Sequence, residues 1–98
     1  MDSLDFPLLR HLLSAYFHQD MSLEFGNWQS AVRQYVKDHD FGTVAALRDE
    51  VYRLLSQSLS EDALDRLMFS LHSYYYSRGD GYLPSEWLRN VAEELTHP

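Results

Sequence analysis

The stretch 28–37, Trp-Gln-Ser-Ala-Val-Arg-Gln-Tyr-Val-Lys, carries the strongest helical signal in the chain. Its apolar residues fall at positions i, i+3, i+4, i+7 and i+8, which places them on one face of an α-helix. These residues are Trp28, Ala31, Val32, Tyr35 and Val36. Gln29, Arg33 and Gln34 lie on the other side. The pattern predicts an amphipathic helix that is buried along its apolar stripe.

The stretch that precedes this helix, residues 16–27, does not resemble an ordinary surface connection. Phe17 and Phe25 are too apolar for a solvated loop, so each ring needs a place to be buried. Gly26 adopts a positive φ at little cost, and Asn27 is a residue type that caps helices. We interpret the stretch as a packed loop that fixes two helices. A binding loop held by a rigid scaffold is the alternative.

A second helix is predicted on the N-terminal side of this loop. It begins near Asp5 and carries Pro7 in its first turn, where the missing N–H of proline costs nothing. Leucines and aromatic residues cover more than half of its helical wheel. A helix this apolar is expected to be the central one, in contact with several others.

Three more helices are predicted after residue 40. One begins with Thr43 as its N-cap and continues to about Gln57, and the next is capped by Ser60. That helix carries two apolar lines, so we expect it to be sandwiched between neighbours. The second of its lines comprises Phe69, His72 and Tyr76. The last helix has Pro84 in its first turn and ends near Thr96.

These patterns together predict an all-α fold of about five helices, since no strand pattern and no repeat of fixed period occurs. At 98 residues the chain is long enough for one hydrophobic core and too short for two. We therefore expect one domain over residues 1–98. Because 45% of the residues are hydrophobic and none lies in a low-complexity run, this domain should fold.

Composition also indicates where the protein works. No apolar run approaches the roughly 18 residues that span a bilayer. The first residues are acidic where a signal peptide would be basic, and the chain has no cysteine, as is usual in a reducing compartment. We expect a cytoplasmic protein.

The charge balance points to the kind of partner. Eight Lys and Arg against fifteen Asp and Glu give a net charge of −7. Such a surface repels nucleic acid and anionic membranes and suits a basic protein, with plain solubility as the alternative. The acids expected to face solvent and meet a partner are Asp38, Asp40, Asp49, Glu50, Asp62 and Asp65. Tyr74 and Tyr76 are further candidates, because surface tyrosines bring contact area at a low entropy cost.

Residues for catalysis are few. The serines lie in no nucleophile motif, and no loop could cradle a phosphate. His18 and Asp20, with Asp80 or His72, could hold a metal, but their spacing does not indicate a complete ligand set. We therefore expect no catalytic residue, no cofactor and no metal, and we interpret His18 and Asp20 as hydrogen-bonded inside their loop. A metal-dependent enzyme built on His18, Asp20 and Asp80 is the alternative.

Several motifs together give the chain a family resemblance. They are Tyr16-Phe17-His18-Gln19-Asp20, Glu24-Phe25-Gly26, the helix with Ala31 and Val32, Asp80-Gly81 and Trp87-Leu88. In this order and approximate spacing, which covers about residues 10–95, the chain resembles the immunity proteins of contact-dependent growth inhibition systems. It is most similar to a small helical family with the Tyr-Phe-His-Gln-Asp motif.

The resemblance implies a cytoplasmic antitoxin that binds the C-terminal toxin domain of a large secreted protein delivered by neighbouring cells. Many such toxin domains act on nucleic acid and are basic, so the toxin could be a nuclease. The expected mechanism is occlusion of its active site, without catalysis. The motif residues Tyr16, Phe17, His18, Gln19, Asp20, Gly26, Asp80, Gly81 and Trp87 are then expected to be structural. The alternative is an acidic helical adaptor for another basic protein.

Overall fold

The computed structural model describes residues 6–17, 26–71, 73 and 77–96. These residues form five α-helices: α1 (Pro7–Tyr16), α2 (Trp28–Asp38), α3 (Phe41–Leu55), α4 (Glu61–Ser70) and α5 (Pro84–Thr96). A 3₁₀ helix, Ser77–Asp80, precedes α5. No strand occurs within these ranges, and the predicted all-α fold is confirmed. None of these helices has both the length and the apolarity that a membrane crossing requires.

Three of the helices have an N-cap residue whose own side chain accepts an N–H of the first turn. Asn27 and Ser60 cap α2 and α4, as predicted. The start of α3 differs from the prediction, because its N-cap is Asp40 and not Thr43. The Asp40 Oδ1 atom accepts the Thr43 N–H at 2.7 Å. Its negative charge also suits the positive end of the helix dipole, so α3 begins earlier, at Phe41.

Helix α5, rather than α1, is at the centre of the packing. It contacts α2, α3, α4 and the 3₁₀ helix, and its contact with α3 is the most extensive in the structure. Its buried residues are Pro84, Trp87, Leu88, Val91, Ala92 and Leu95. Helix α1 packs mainly on α2 and α3. The expectation of a central α1 is therefore wrong, since apolarity measures buried area and not the number of neighbours.

Glu50 is buried, so its prediction as an outward-facing acid is wrong. Only 9% of the residue is exposed, on the core side of α3 between Leu47 and Leu54. No side chain at the N-cap of α1 satisfies the first N–H groups of that helix. The Glu50 carboxylate does so from α3, with Oε1 accepting the N–H groups of Leu8 at 3.1 Å and Leu9 at 3.0 Å. A carboxylate at a helix N-terminus is stabilised by hydrogen bonds and by the dipole together.

Helix α4 lies at the edge of the bundle. Phe69 is 78% exposed, so the predicted sandwich of α4 between two neighbours is wrong at this position. The other two members of that line, His72 and Tyr76, lie outside the described residues. Leu64 and Met68 supply the buried side of α4, which packs mainly on α5.

Candidate functional site

An aromatic cluster holds both ends of the 18–25 segment, which itself lies outside the described residues. Phe17, at the end of α1, is fully buried, and its ring meets that of Trp87 edge to face at 5.3 Å. Trp28, at the start of α2, meets Trp87 at 6.0 Å. Trp28 is 5% exposed and Trp87 1%. Aromatic pairs at these distances and angles attract one another beyond the area that they bury.

Tyr16, the first residue of the family motif, fixes an exposed carboxylate. Its hydroxyl donates a hydrogen bond of 2.6 Å to Asp38 Oδ2, and Gln34 Nε2 donates one of 2.9 Å to Asp38 Oδ1. Burial of Tyr16, followed by this bond to Asp38, raises the pKa of the tyrosine. The hydrogen bonds from Tyr16 and then Gln34 lower the pKa of Asp38. Asp38 is therefore a positioned negative charge at the end of α2.

Replacing Asp38 with asparagine should change how stability depends on pH. Because the folded-state pKa of Asp38 is lowered, its contribution is present above the unfolded pKa of about 3.9 and is lost as the pH falls through the folded value. Chemical unfolding should show Asp38→Asn as less stable than the parent at pH 7, with the difference shrinking in acid.

The matched control for that measurement is Asp49→Asn. Asp49 is exposed and makes no hydrogen bond or ion pair within the described ranges, so its substitution should lower stability at pH 7 less than that of Asp38. A difference between parent and Asp38→Asn that stays constant from pH 7 to pH 2 would contradict the role assigned to the Tyr16 hydrogen bond.

A group of rings lies between α1 and the end of α2. The His39 imidazole stacks on Tyr35 with 3.9 Å between ring centroids, and His11 meets His39 at 5.4 Å. The Tyr35 hydroxyl is buried and finds no hydrogen-bond partner among the described residues. Burial and, secondarily, the charge of Glu50 raise the pKa of Tyr35 to about 12. These contacts make the group part of the packing between the two helices.

No metal centre is evident in the described part of the chain, where no three His, Asp or Glu side chains are placed to hold an ion. Asp80, one of the three candidate ligands, ends the 3₁₀ helix. The other two, His18 and Asp20, lie outside the described ranges, as do Gln19 and His72.

The two motif glycines occupy backbone positions that favour glycine. Gly26 and Gly81 both have φ of +88°, a region that other residues enter only with strain. Gly26 directly precedes the N-cap of α2, as the sequence predicted. The Gly81 N–H donates to the Arg78 carbonyl at 3.1 Å, which closes the 3₁₀ helix before the chain enters α5.

The remaining candidate acids fall into two groups. Asp38 and Asp40 lie at the corner between α2 and α3, and Asp49 is exposed on α3 itself. Hydrogen bonds to Thr43 lower the pKa of Asp40. On α4, Asp62 and Asp65 both pair with Arg78, at 3.1 and 2.8 Å.

Arg78 therefore neutralises part of the charge of Asp62 and Asp65 on α4. Asp38 and Asp40, at the corner between α2 and α3, have no such ion pair within the described residues. The two candidate tyrosines, Tyr74 and Tyr76, lie outside the described residues.

Sequence reasoning missed the exposed side of α3. Phe41 is 87% exposed and Tyr52 49%. Ala45 and Arg48 lie between them at helical spacing i, i+4, i+7 and i+11, so the four residues share one side of the helix. We call these four residues the α3 outer face. Their spacing is visible in the sequence, but only the packing shows that none of the described helices lies over this side.

Within the described residues, an all-α bundle with large exposed aromatic side chains near exposed acids has a surface typical of a protein-binding domain. The model of the CdiI immunity protein family matches residues 5–95, and the chain belongs to that family. A chain in the crystal structure of the CdiA-CT/CdiI complex from Y. kristensenii has a similar fold, with a TM-score of 0.86 and 29% sequence identity. The similarity covers 93% of this chain and 98% of that one. No curated protein matches the sequence.

Proposed function

We propose that this immunity protein acts in the cytoplasm by binding and neutralising the CdiA-CT toxin domain of its own contact-dependent growth inhibition system. The observation that carries the proposal is the similarity, over nearly the whole of both chains, to a chain of a CdiA-CT/CdiI complex. The likeness covers the whole fold and is not confined to one motif, so it supports the same kind of role for the chain as a whole. The chain then acts by binding and not by catalysis.

Occlusion of the toxin's active site is the mechanism that the surface supports best. A net charge of −7 with exposed carboxylates suits a basic groove of the kind that binds nucleic acid. The acids proposed to meet this groove are Asp38, Asp40 and Asp49, because Asp62 and Asp65 already pair with Arg78. Tyr74 and Tyr76 stay candidate contacts. Covering the groove excludes substrate, and no bond has to be made or broken.

Mixing the purified chain with its cognate CdiA-CT domain should give a stable complex and abolish the toxin's activity. Association should be fast and should slow markedly as salt rises, because charge steering acts over about 10 Å at 0.1 M salt and less above it. Dissociation should respond much less, since packed apolar contacts hold the docked state. Stopped-flow measurements at two salt concentrations separate the two rates.

Two controls test whether inhibition is by occlusion and whether binding is specific. A substrate analogue bound to the toxin should compete with the chain if inhibition is by occlusion, and unchanged affinity would place the contact elsewhere on the toxin. A CdiA-CT domain from an unrelated system should not bind. If the chain forms no complex with its cognate toxin but captures another basic protein, the adaptor alternative is correct.

A further inference from the structure

The α3 outer face combines features that are seldom left uncovered on a small domain. Four large hydrophobic residues are strongly exposed in the described part of the chain: Phe41, Tyr52, Phe69 and Leu83. Two of these, Phe41 and Tyr52, lie eleven residues apart on one side of α3, or about 16 Å along its axis. Arg48 lies between them. Aromatic residues and arginine are the residue types that dominate binding energy at protein interfaces.

A groove runs beside this face and is built by three helices. Its volume is about 260 Å³, and Val36 of α2, Val44 of α3 and Leu95 of α5 line its floor. Phe41 and Arg48 form part of its wall. Val44 and Leu95 also belong to the hydrophobic core, so the groove is held open by the packing of the bundle. Binding to a preformed groove costs less free energy than binding to a groove that has to be opened.

Three exposed carboxylates lie on the chain segments that carry the groove and the face. Asp38 is fixed by Tyr16 and Gln34, and Asp40 is fixed by the Thr43 N–H. Asp49 is exposed and lies three residues before Tyr52, which places the two about 60° apart around the helix. Exposed negative charge therefore lies at the start of α3, next to Phe41, and beside Tyr52.

We propose that the α3 outer face, with its adjoining groove, is the surface on which the cognate toxin domain docks. An apolar side chain of the toxin enters the groove, and basic side chains around it meet Asp38, Asp40 and Asp49. This inference rests on the proposed function and adds the location of the interface. In this interface Phe41 and Tyr52 contribute most of the binding energy, and the acids increase the association rate.

The negative charge of the chain distinguishes a basic toxin from a second copy of this chain as the occupant. A symmetric dimer through this face would bring the same acids of two molecules together, each molecule with a net charge of −7. Like charges placed opposite one another cost several kcal/mol at an interface. A partner with cations around an apolar centre meets no such repulsion.

Alanine substitutions on two sides of the protein test the location. Phe41→Ala and Tyr52→Ala should each weaken binding of the purified CdiA-CT domain by about tenfold, mainly through faster dissociation, and the double variant by about a hundredfold. Phe69→Ala is the matched control, since Phe69 is a comparably exposed phenylalanine on α4. Biolayer interferometry gives the rates, and thermal melting shows whether each variant is folded.

The outcomes separate this inference from the proposed function. If the parent chain does not bind the toxin, the proposed function fails. If the parent binds and Phe69→Ala weakens binding while the double variant does not, the function stands and the location is wrong. Light scattering should show a monomer, and a dimer that the double variant dissociates would make this face a self-association surface and overturn the inference.

A charge reversal tests the same surface by another route. Asp49→Lys and Glu93→Lys change the net charge equally, but Glu93 lies on the exposed side of α5. At low salt, Asp49→Lys should slow association with the toxin severalfold more than Glu93→Lys, and the difference should vanish at high salt. Equal slowing by both variants would overturn the placement of the interface on α3.

Discussion

Replacing Trp87 with alanine should lower the free energy of unfolding by about 3–5 kcal/mol, the cost of removing a large buried aromatic side chain. Trp87 is 1% exposed on the central helix α5, and its ring contacts both Phe17 and Trp28. A domain of this size has a total stability of only about 5–15 kcal/mol. The substitution therefore removes a large share of the stability, and the variant should be partly unfolded at 37 °C.

Urea unfolding followed by far-UV circular dichroism measures this loss. Phe69→Ala is the control, because Phe69 is 78% exposed and its removal should change stability by less than about 0.5 kcal/mol. In the Trp87→Ala variant the emission comes from Trp28 alone and should shift to longer wavelength, because Trp28 loses the ring that packs against it. Equal midpoints for the two variants would show that the aromatic cluster does not hold the fold together.

The sequence was sufficient for features that depend on neighbouring residues. The apolar stripe of α2 repeats at 3.6 residues, and its cap at Asn27 lies directly before it, so both could be identified without knowledge of the fold. The burial of Trp28 followed from its place on that stripe. The resemblance to immunity proteins depended on motif residues in order along the chain, and the family match supports it.

Features that depend on distant residues could not be predicted. Glu50 resembles any acid on a helix until the N-terminus of α1 is placed beside it, 41 residues away in sequence. Phe69 belongs to an apolar line on α4 that has no described neighbour against it. At α3, Asp40 and Thr43 are both good capping residues, and local rules do not choose between them.

The candidate site likewise has features that the sequence predicts and features that depend on the packing of distant residues. Its acidic character follows from composition, and Asp38, Asp40 and Asp49 are exposed as predicted. The sequence did not show the apolar groove beside α3, because α2, α3 and α5 form that groove only when they are packed. Charge could be predicted from composition, whereas shape required the fold.

Glu50 should be essential for stability in spite of its charge. The residue is 9% exposed, and its carboxylate accepts the N–H groups of Leu8 and Leu9 in the first turn of α1. Glu50→Ala leaves these buried donors without an acceptor, so we expect a loss of about 3 kcal/mol in the free energy of unfolding. Glu50→Gln keeps one acceptor oxygen of nearly the same shape and should lose less, about 1–2 kcal/mol, because only the charge is removed.

Asp49→Ala, one residue away on the exposed side of α3, is the control and should change stability by less than about 0.5 kcal/mol. Urea unfolding of the three variants gives the ranking, and hydrogen exchange at the Leu8 and Leu9 amides locates the effect in α1. Those amides should exchange faster in Glu50→Ala and remain protected in Asp49→Ala. Since Glu50 lies on the core side of α3, toxin affinity of the folded Glu50→Gln variant should equal that of the parent. If Glu50→Ala is as stable as Asp49→Ala, α1 is held by its apolar face alone and the buried carboxylate contributes nothing to joining α1 with α3.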